Sequence, residues 1–218
     1  MEEALFDQLP TELTAPIKDK ISKLKKNLYK EGVEHFEHII STFGDEEIYT
    51  LSFYYNAGSW SYILPTFATE RGLEEIAQEY LEHSGGSLEG QKINLRWSPC
   101  DSAHHEAHGF YFSDDTDEIL NELQNLTNAA SAYIDESDEL SDEPDADIAI
   151  IVEVHQKIHG IVIEALQQVA LTPKVVDYRK KHRCLIVLEA GDTDAKILNQ
   201  DLITLNGESV FDVIKSWD

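Results

Sequence analysis

The chain has 218 residues, enough to bury one sizeable core, and 42% of them are hydrophobic, which sets it apart from a disordered polymer. Its 42 acids against 17 bases give a formal net charge of −25, which argues against a nucleic-acid or anionic-membrane surface as the primary partner. The excess is confined to the middle: residues 31–156 hold 28 acids and three bases, Arg71, Lys92 and Arg96, whereas residues 1–30 sum to +1 and residues 157–218 to −1.

The acidic start Met1-Glu2-Glu3 shows no basic region followed by an apolar core, and the longest aliphatic run, Ile148 to Val152, is too short to cross a bilayer. Cys100 and Cys184 read as reduced thiols. These features together lead us to expect a cytoplasmic protein.

In chain order, Ile17, Ile21, Leu24 and Leu28 recur at helical spacing while Lys18, Lys20, Lys23, Lys25 and Lys26 take the other faces. This predicts a basic amphipathic helix over residues 1–30, with its basic face in solvent, as an extension to a domain over 31–218. A second helix is predicted over Val33–Phe43, closed by Gly44. Glu47–Tyr55 and Trp60–Phe67 read as strands joined by a turn at Asn56-Ala57-Gly58-Ser59, with Pro65 marking an edge position or a strand end. A helix is expected over Gly72–His83, ended by Gly85-Gly86, then a strand at Ile93–Trp97 and a short one at Gly109–Phe112.

Residues 116–134 and Asp147–Ala170 carry helical patterns, separated by 135–147, where eight acids in thirteen residues predict a mobile linker. Basic Arg179-Lys180-Lys181 precedes a strand at Cys184–Leu188. Gly191-Asp192-Thr193-Asp194 reads as a hairpin turn into a returning strand at Ile197–Leu205, and Ser209–Trp217 as a last helix. Blocks of helices and strands with hairpin-like turns predict an α+β fold with a largely antiparallel sheet packed against helices.

The densest chemistry is Cys100 to His108, where a Cys, three His and two acids fall within nine residues. Zinc accepts all of these ligand types. His105-Glu106-Ala107-His108, however, brings its second His one residue too early for the H-E-x-x-H motif. The acidic run lacks the Gly and the spacing of a calcium loop. No phosphate loop, dinucleotide fingerprint or nucleophile elbow is present, so no cofactor is expected. Tyr49, Phe53, Tyr54, Tyr55, Trp60 and Tyr62 crowd the first hairpin. Strand alternation turns some of them away from the core unless a second layer covers them.

Several stretches resemble the bacterial domain-of-unknown-function family 4303. Glu46 to Tyr54 is similar to its first strand, Thr69-Glu70-Arg71-Gly72-Leu73 to its Thr-Glu-x-Gly-Leu helix start, and Arg96-Trp97-Ser98-Pro99 to its Arg-Trp-Ser-Pro turn. Cys184 to Leu188, through Leu205-Asn206, resembles its closing strand pair and Leu-Asn ending. After Pro99 the chain departs from the family, with Asp101 to His108 where the family carries an aromatic. The resemblance spans roughly residues 30–217 and implies a protein akin to the immunity proteins of bacterial toxin systems.

The resulting expectation is an immunity- or antitoxin-like protein that neutralises a cognate, basic toxin domain through an acidic surface. Asp114, Asp115, Asp117, Glu118, Asp138 and Glu139 supply the charge, and the hairpin aromatics Tyr54 and Trp60 supply anchors. The alternatives are a metal-dependent hydrolase using His104, His105 and His108, or a non-catalytic regulatory module.

Overall fold

The computed structural model describes residues 5–56, 59–137, 145–191, 195–215 and 217. It begins with a short helix, α1 (Leu5–Gln8), whose first free amides, Leu5 N and Phe6 N, donate to the Glu153 carboxylate at 2.9 Å each. The next helix, α2 (Thr11–Phe43), runs unbroken for 33 residues. The sequence pattern divides this stretch in two, but Gly32 does not stop the helix. A Cβ there would lie 2.7 Å from Phe53 Cζ and 3.2 Å from Val169 Cγ2, so the glycine lets α2 approach its neighbours closely. Residue 30 therefore falls inside one helix. The basic face of α2 is also not left wholly to solvent, since Lys20 pairs with Glu122 and Lys25 with Glu164 across the bundle.

Strands β1 (Ile48–Asn56) and β2 (Ile63–Thr69) pair antiparallel, with Pro65 opposite Phe53. β3 (Leu185–Gly191) lies parallel to β1 on its other side, giving the order β2-β1-β3. Pro65 thus sits on an edge strand, where its missing N–H costs no ladder bond. The expected α+β class is present, with a small sheet that carries one antiparallel and one parallel pairing.

Helix α3 (Glu70–Ser84) is capped by Thr69, whose Oγ1 accepts from Gly72 N at 3.0 Å. The stretch expected as a strand at Ile93–Trp97 lies mostly in α4 (Leu88–Leu95), started by Ser87 Oγ accepting from Gly90 N. Its apparent alternation served no sheet: Leu95 is buried but Ile93 is 54% exposed. Residues 109–112 form no strand. α5 (Asp114–Asp135) and α6 (Ala146–Ala170) follow the predicted helical patterns. Residues 138–144 of the expected linker, residues 57–58 of the first turn and residues 192–194 of the second lie outside the described residues.

The basic run Arg179-Lys180-Lys181 ends α7 (Pro173–Lys181), where cations suit the helix C-terminus. The predicted returning strand is α8 (Ala195–Asn206), and α9 (Val210–Lys215) closes the chain. Leu198, Leu202 and Leu205 recur at four and three residues, a helical spacing that outweighs the apolar run that suggested a strand. In place of a fourth strand, one side chain caps the β3 edge. Asn206 Oδ1 accepts from Ile186 N at 2.9 Å and its Nδ2 donates to Ile186 O at 2.7 Å, as a neighbouring strand would.

Phe36 and Ile39 of α2, Ile119 and Leu123 of α5, and Val154 and Leu166 of α6 form one core with Leu51, Phe53, Phe67 and Ile186 of the sheet. On the opposite face a smaller cluster joins Tyr49, Ala68, Leu73, Ala77 and Leu95. The register shifts between Ile48 and Thr50, which turns Tyr49 into that second cluster while Ile48 stays in the main core.

Candidate functional site

The acidic surface is built at the first turn of α5. Ser113 caps the helix by accepting from Thr116 N, and Glu31 of α2 accepts from Ser113 N at 2.7 Å and from Ser113 Oγ at 2.8 Å. Asn27 Nδ2 donates to Asp115 Oδ2 at 2.7 Å, so the start of α5 is fastened to α2. A helix N-terminus tolerates acids because its free N–H groups face them. Asp114, Asp115, Asp117 and Glu118 all sit there, exposed, and none is in an ion pair among the described residues. The crowding has a chemical consequence. Partial burial, with Asp114 and Glu31 nearby, holds the Asp117 carboxyl above its ordinary value of 3.8.

Asp117 also lines a recess of about 310 Å³ with Tyr62, Leu64, Glu106, Tyr111 and Phe112. Tyr111 is half exposed, and Glu106, a few residues before α5, adds a second carboxylate to the lining. Aromatic rings beside unpaired carboxylates suit a cationic side chain, which gains contact with the ring faces and with the charge.

The aromatics expected as anchors are not at the surface. Tyr54 and Trp60 are 7% and 4% exposed. Tyr54 accepts from Cys100 Sγ at 3.5 Å and meets the His105 ring edge-on at 4.8 Å. Its hydroxyl is held well above the ordinary tyrosine range, first by the Cys100 hydrogen bond and then by burial. Trp60 does not open a strand. Its φ of +48° ends the turn and lays its indole on Tyr55, centroids 3.9 Å apart, with His159 edge-on beside it. Asp138 and Glu139 lie outside the described residues. Tyr62 belongs to the same aromatic run in the sequence, but nothing there showed that it and Tyr111, rather than Tyr54 and Trp60, would line an open recess.

His104, His105 and His108 do not converge on one point. His104 Nδ1 is 2.9 Å from His108 Nε2, and its Nε2 is 3.0 Å from Thr69 Oγ1, so both ring nitrogens are spent. The ring stacks on Phe67 at 4.3 Å, and burial lowers its pKa from 6.5 to about 4. Thr69 donates on to Glu46 Oε2 at 3.4 Å. That order leaves His104 Nε2–H to donate to Thr69 and His108 Nε2–H to donate to His104. His105 instead faces Tyr54. Among the described residues no group of three or more His, Cys, Asp and Glu is placed to hold a metal ion. The cluster works as a clamp: His104 occupies the space over Gly72, where a Cβ would meet its Nε2 at 3.0 Å, and so fastens the loop to the start of α3.

The motif residues have structural duties in the same region. Glu70 holds the Arg96 guanidinium, which lies 4.9 Å from the Tyr49 ring centroid and 5.6 Å from that of Trp217. Arg71 pairs with Glu46, and Ser98 Oγ donates to Asp101 Oδ2 at 2.5 Å.

Fold and site together define an α+β protein whose helical layer presents an acid-rimmed aromatic recess beside an exposed carboxylate cluster. The chain belongs to the family described as Domain of unknown function (DUF4303), whose profile matches residues 28–156. The match covers the later part of α2, the β1–β2 hairpin, α3 to α5 and the start of α6. The Cys184–Leu188 and Leu205-Asn206 stretches lie beyond it. No curated protein and no solved structure matches the chain. No helix among the described residues is long and apolar enough to cross a membrane.

Proposed function

We propose that the chain is a cytoplasmic immunity-type protein that binds a cognate cationic toxin domain and neutralises it by occupation, without catalysis. The observation that carries this reading is the recess at Asp117, Glu106, Tyr62 and Tyr111, flanked by the exposed Asp114, Asp115 and Glu118, none of them in an ion pair among the described residues. Carboxylates that raise one another's proton affinity are relieved when a cation arrives, and a lysine or arginine in the recess would also bury part of its stem against Tyr111. The net charge of −25 adds long-range attraction for a basic partner. Four exposed acids steer the encounter, and the aromatic recess supplies the short-range anchor that raw charge lacks.

The test is co-expression with the product of the adjacent gene, followed by co-purification. The expected result is a stable complex and relief of that product's toxicity. Asp117→Lys and Tyr111→Ala should each weaken the complex about tenfold or more, and raising salt from 50 to 500 mM should slow association. A neighbour that neither binds nor becomes less toxic would sink the reading. So would a complex indifferent to both substitutions.

A further inference from the structure

The other face of the sheet carries a cavity that the acidic recess does not touch. Val187 and Glu189 of β3, Leu198 and Leu202 of α8, and Phe211 and Ile214 of α9 line about 330 Å³, with Trp97 beside them. That volume is at the low end of the range occupied by small-molecule pockets. The lining is mostly apolar, with the amide of Asn199 and one ionisable group, Glu189, as the polar side chains.

Glu189 is an unusual residue to place there. Stranding a carboxyl among leucines and a phenylalanine costs free energy unless something answers it. Among the described residues its one hydrogen bond comes from Ser52 Oγ, 2.8 Å from Oε1, which leaves Oε2 open. Burial pushes the carboxyl up to about 7, so it sits near the balance between acid and carboxylate at neutral pH. On β2, Thr66 is paired in register with Ser52, and its buried Oγ1 has no partner among the described residues. A purely apolar ligand would fill the space but leave Oε2 unanswered. An anionic ligand would be repelled. A ligand with an apolar body and one ammonium would answer both features with a charge-assisted hydrogen bond inside an apolar enclosure.

We propose that this cavity is a binding site for a small hydrophobic amine, its apolar body among Leu198, Leu202, Phe211, Ile214 and Trp97 and its ammonium on the Glu189 carboxylate. The lining comes from β3, α8, α9 and Trp97 and shares no residue with the recess around Asp117, so this site stands or falls independently of the toxin-binding reading.

Calorimetric titration of the full chain with three indoles of matched shape tests the proposal. Tryptamine should bind at least about tenfold tighter than 3-ethylindole, and indole-3-propionate should not bind. Glu189→Gln should cut tryptamine affinity about tenfold or more while leaving 3-ethylindole unchanged. Leu202→Trp, which fills the cavity, should abolish binding of both, with thermal unfolding confirming that each variant is folded. If Leu202→Trp fails to fold, the Glu189→Gln comparison decides alone. The proposal is overturned if tryptamine does not bind the wild-type chain, if it binds Glu189→Gln equally well, or if indole-3-propionate matches it. It is overturned too if no amine binds but both variants impair capture of a protein partner, since the cavity would then take a side chain from that partner.

Discussion

Glu189 and His104 respond to burial in opposite directions, because burial always favours the neutral form. The histidine is held neutral down to about pH 4, below its ordinary 6.5, whereas the carboxyl keeps its proton up to about pH 7, above its ordinary 4.5. Between pH 4 and 6.5 the unfolded chain protonates His104 and the folded chain does not, so that group makes stability fall as pH falls. Between pH 4.5 and 7 the folded chain keeps the Glu189 proton that the unfolded chain releases, so that group makes stability fall as pH rises. The two slopes oppose each other and flatten the wild-type profile. Glu189→Gln removes one of them. Urea unfolding from pH 4.5 to 7 should show the variant gaining stability on the wild type as pH rises, by about 2 kcal/mol across the window. Parallel profiles for the two proteins would show that Glu189 titrates alike in both states. None of this was legible in the sequence, where Glu189 is one acid among 42 and its strand neighbours look wholly apolar.

Helix α2 is the element on which the bundle is assembled, and its closest approach is at Gly32. The space a methyl group would need is occupied by Phe53 Cζ, whose ring packs against Phe36 at 5.5 Å and Phe112 at 5.1 Å. Gly32→Ala gains up to about 1 kcal/mol of helix propensity but must push a fully buried aromatic out of place. The expected net result is a loss of about 1–2 kcal/mol in denaturant midpoint measurements, the reverse of what a glycine-to-alanine change does in an exposed helix. A stabilised variant would mean that Phe53 has room to move. The sequence marks Gly32 only as an interruption in the apolar pattern, which is why one helix reads as two. Ile93–Trp97 and Ile197–Leu205 read as strands for a related reason. Short apolar runs satisfy strand and helix patterns alike, and the choice between them depends on whether a sheet edge is available. Here Asn206 caps the β3 edge.

Over the whole molecule, the charge has a cost as well as a use. Lys20 and Lys25 neutralise two acids of the bundle, yet the exposed acids of α3 and α5 repel one another across a surface with few bases. Added salt weakens the individual pairs and screens the general repulsion. At −25 the repulsion dominates. The melting temperature should therefore rise by roughly 3–6 °C between 20 and 500 mM NaCl in the absence of any partner. A melting temperature that falls with salt would show that the cross-bundle pairs outweigh the self-repulsion.

The sequence by itself determined the α+β class, the helices with long apolar periods, the β1–β2 hairpin, and the segment that carries the acid excess. These follow from local periodicity, backbone chemistry and composition, each readable within a window of a few turns. It also brought out the Thr69–Leu73 and Arg96–Pro99 motifs, whose cap, ion pair and close glycine the structure then accounts for. Only the tertiary structure decided that β3 joins β1 in parallel, that Tyr111 is exposed and Tyr62 half-buried while Tyr54 and Trp60 are covered, that the three histidines do not converge on one point, and that Glu189 lines a mostly apolar cavity. Each of those depends on which distant segment packs over a given side chain. Exposure and proton affinity are properties of that covering layer, and the local sequence does not contain it.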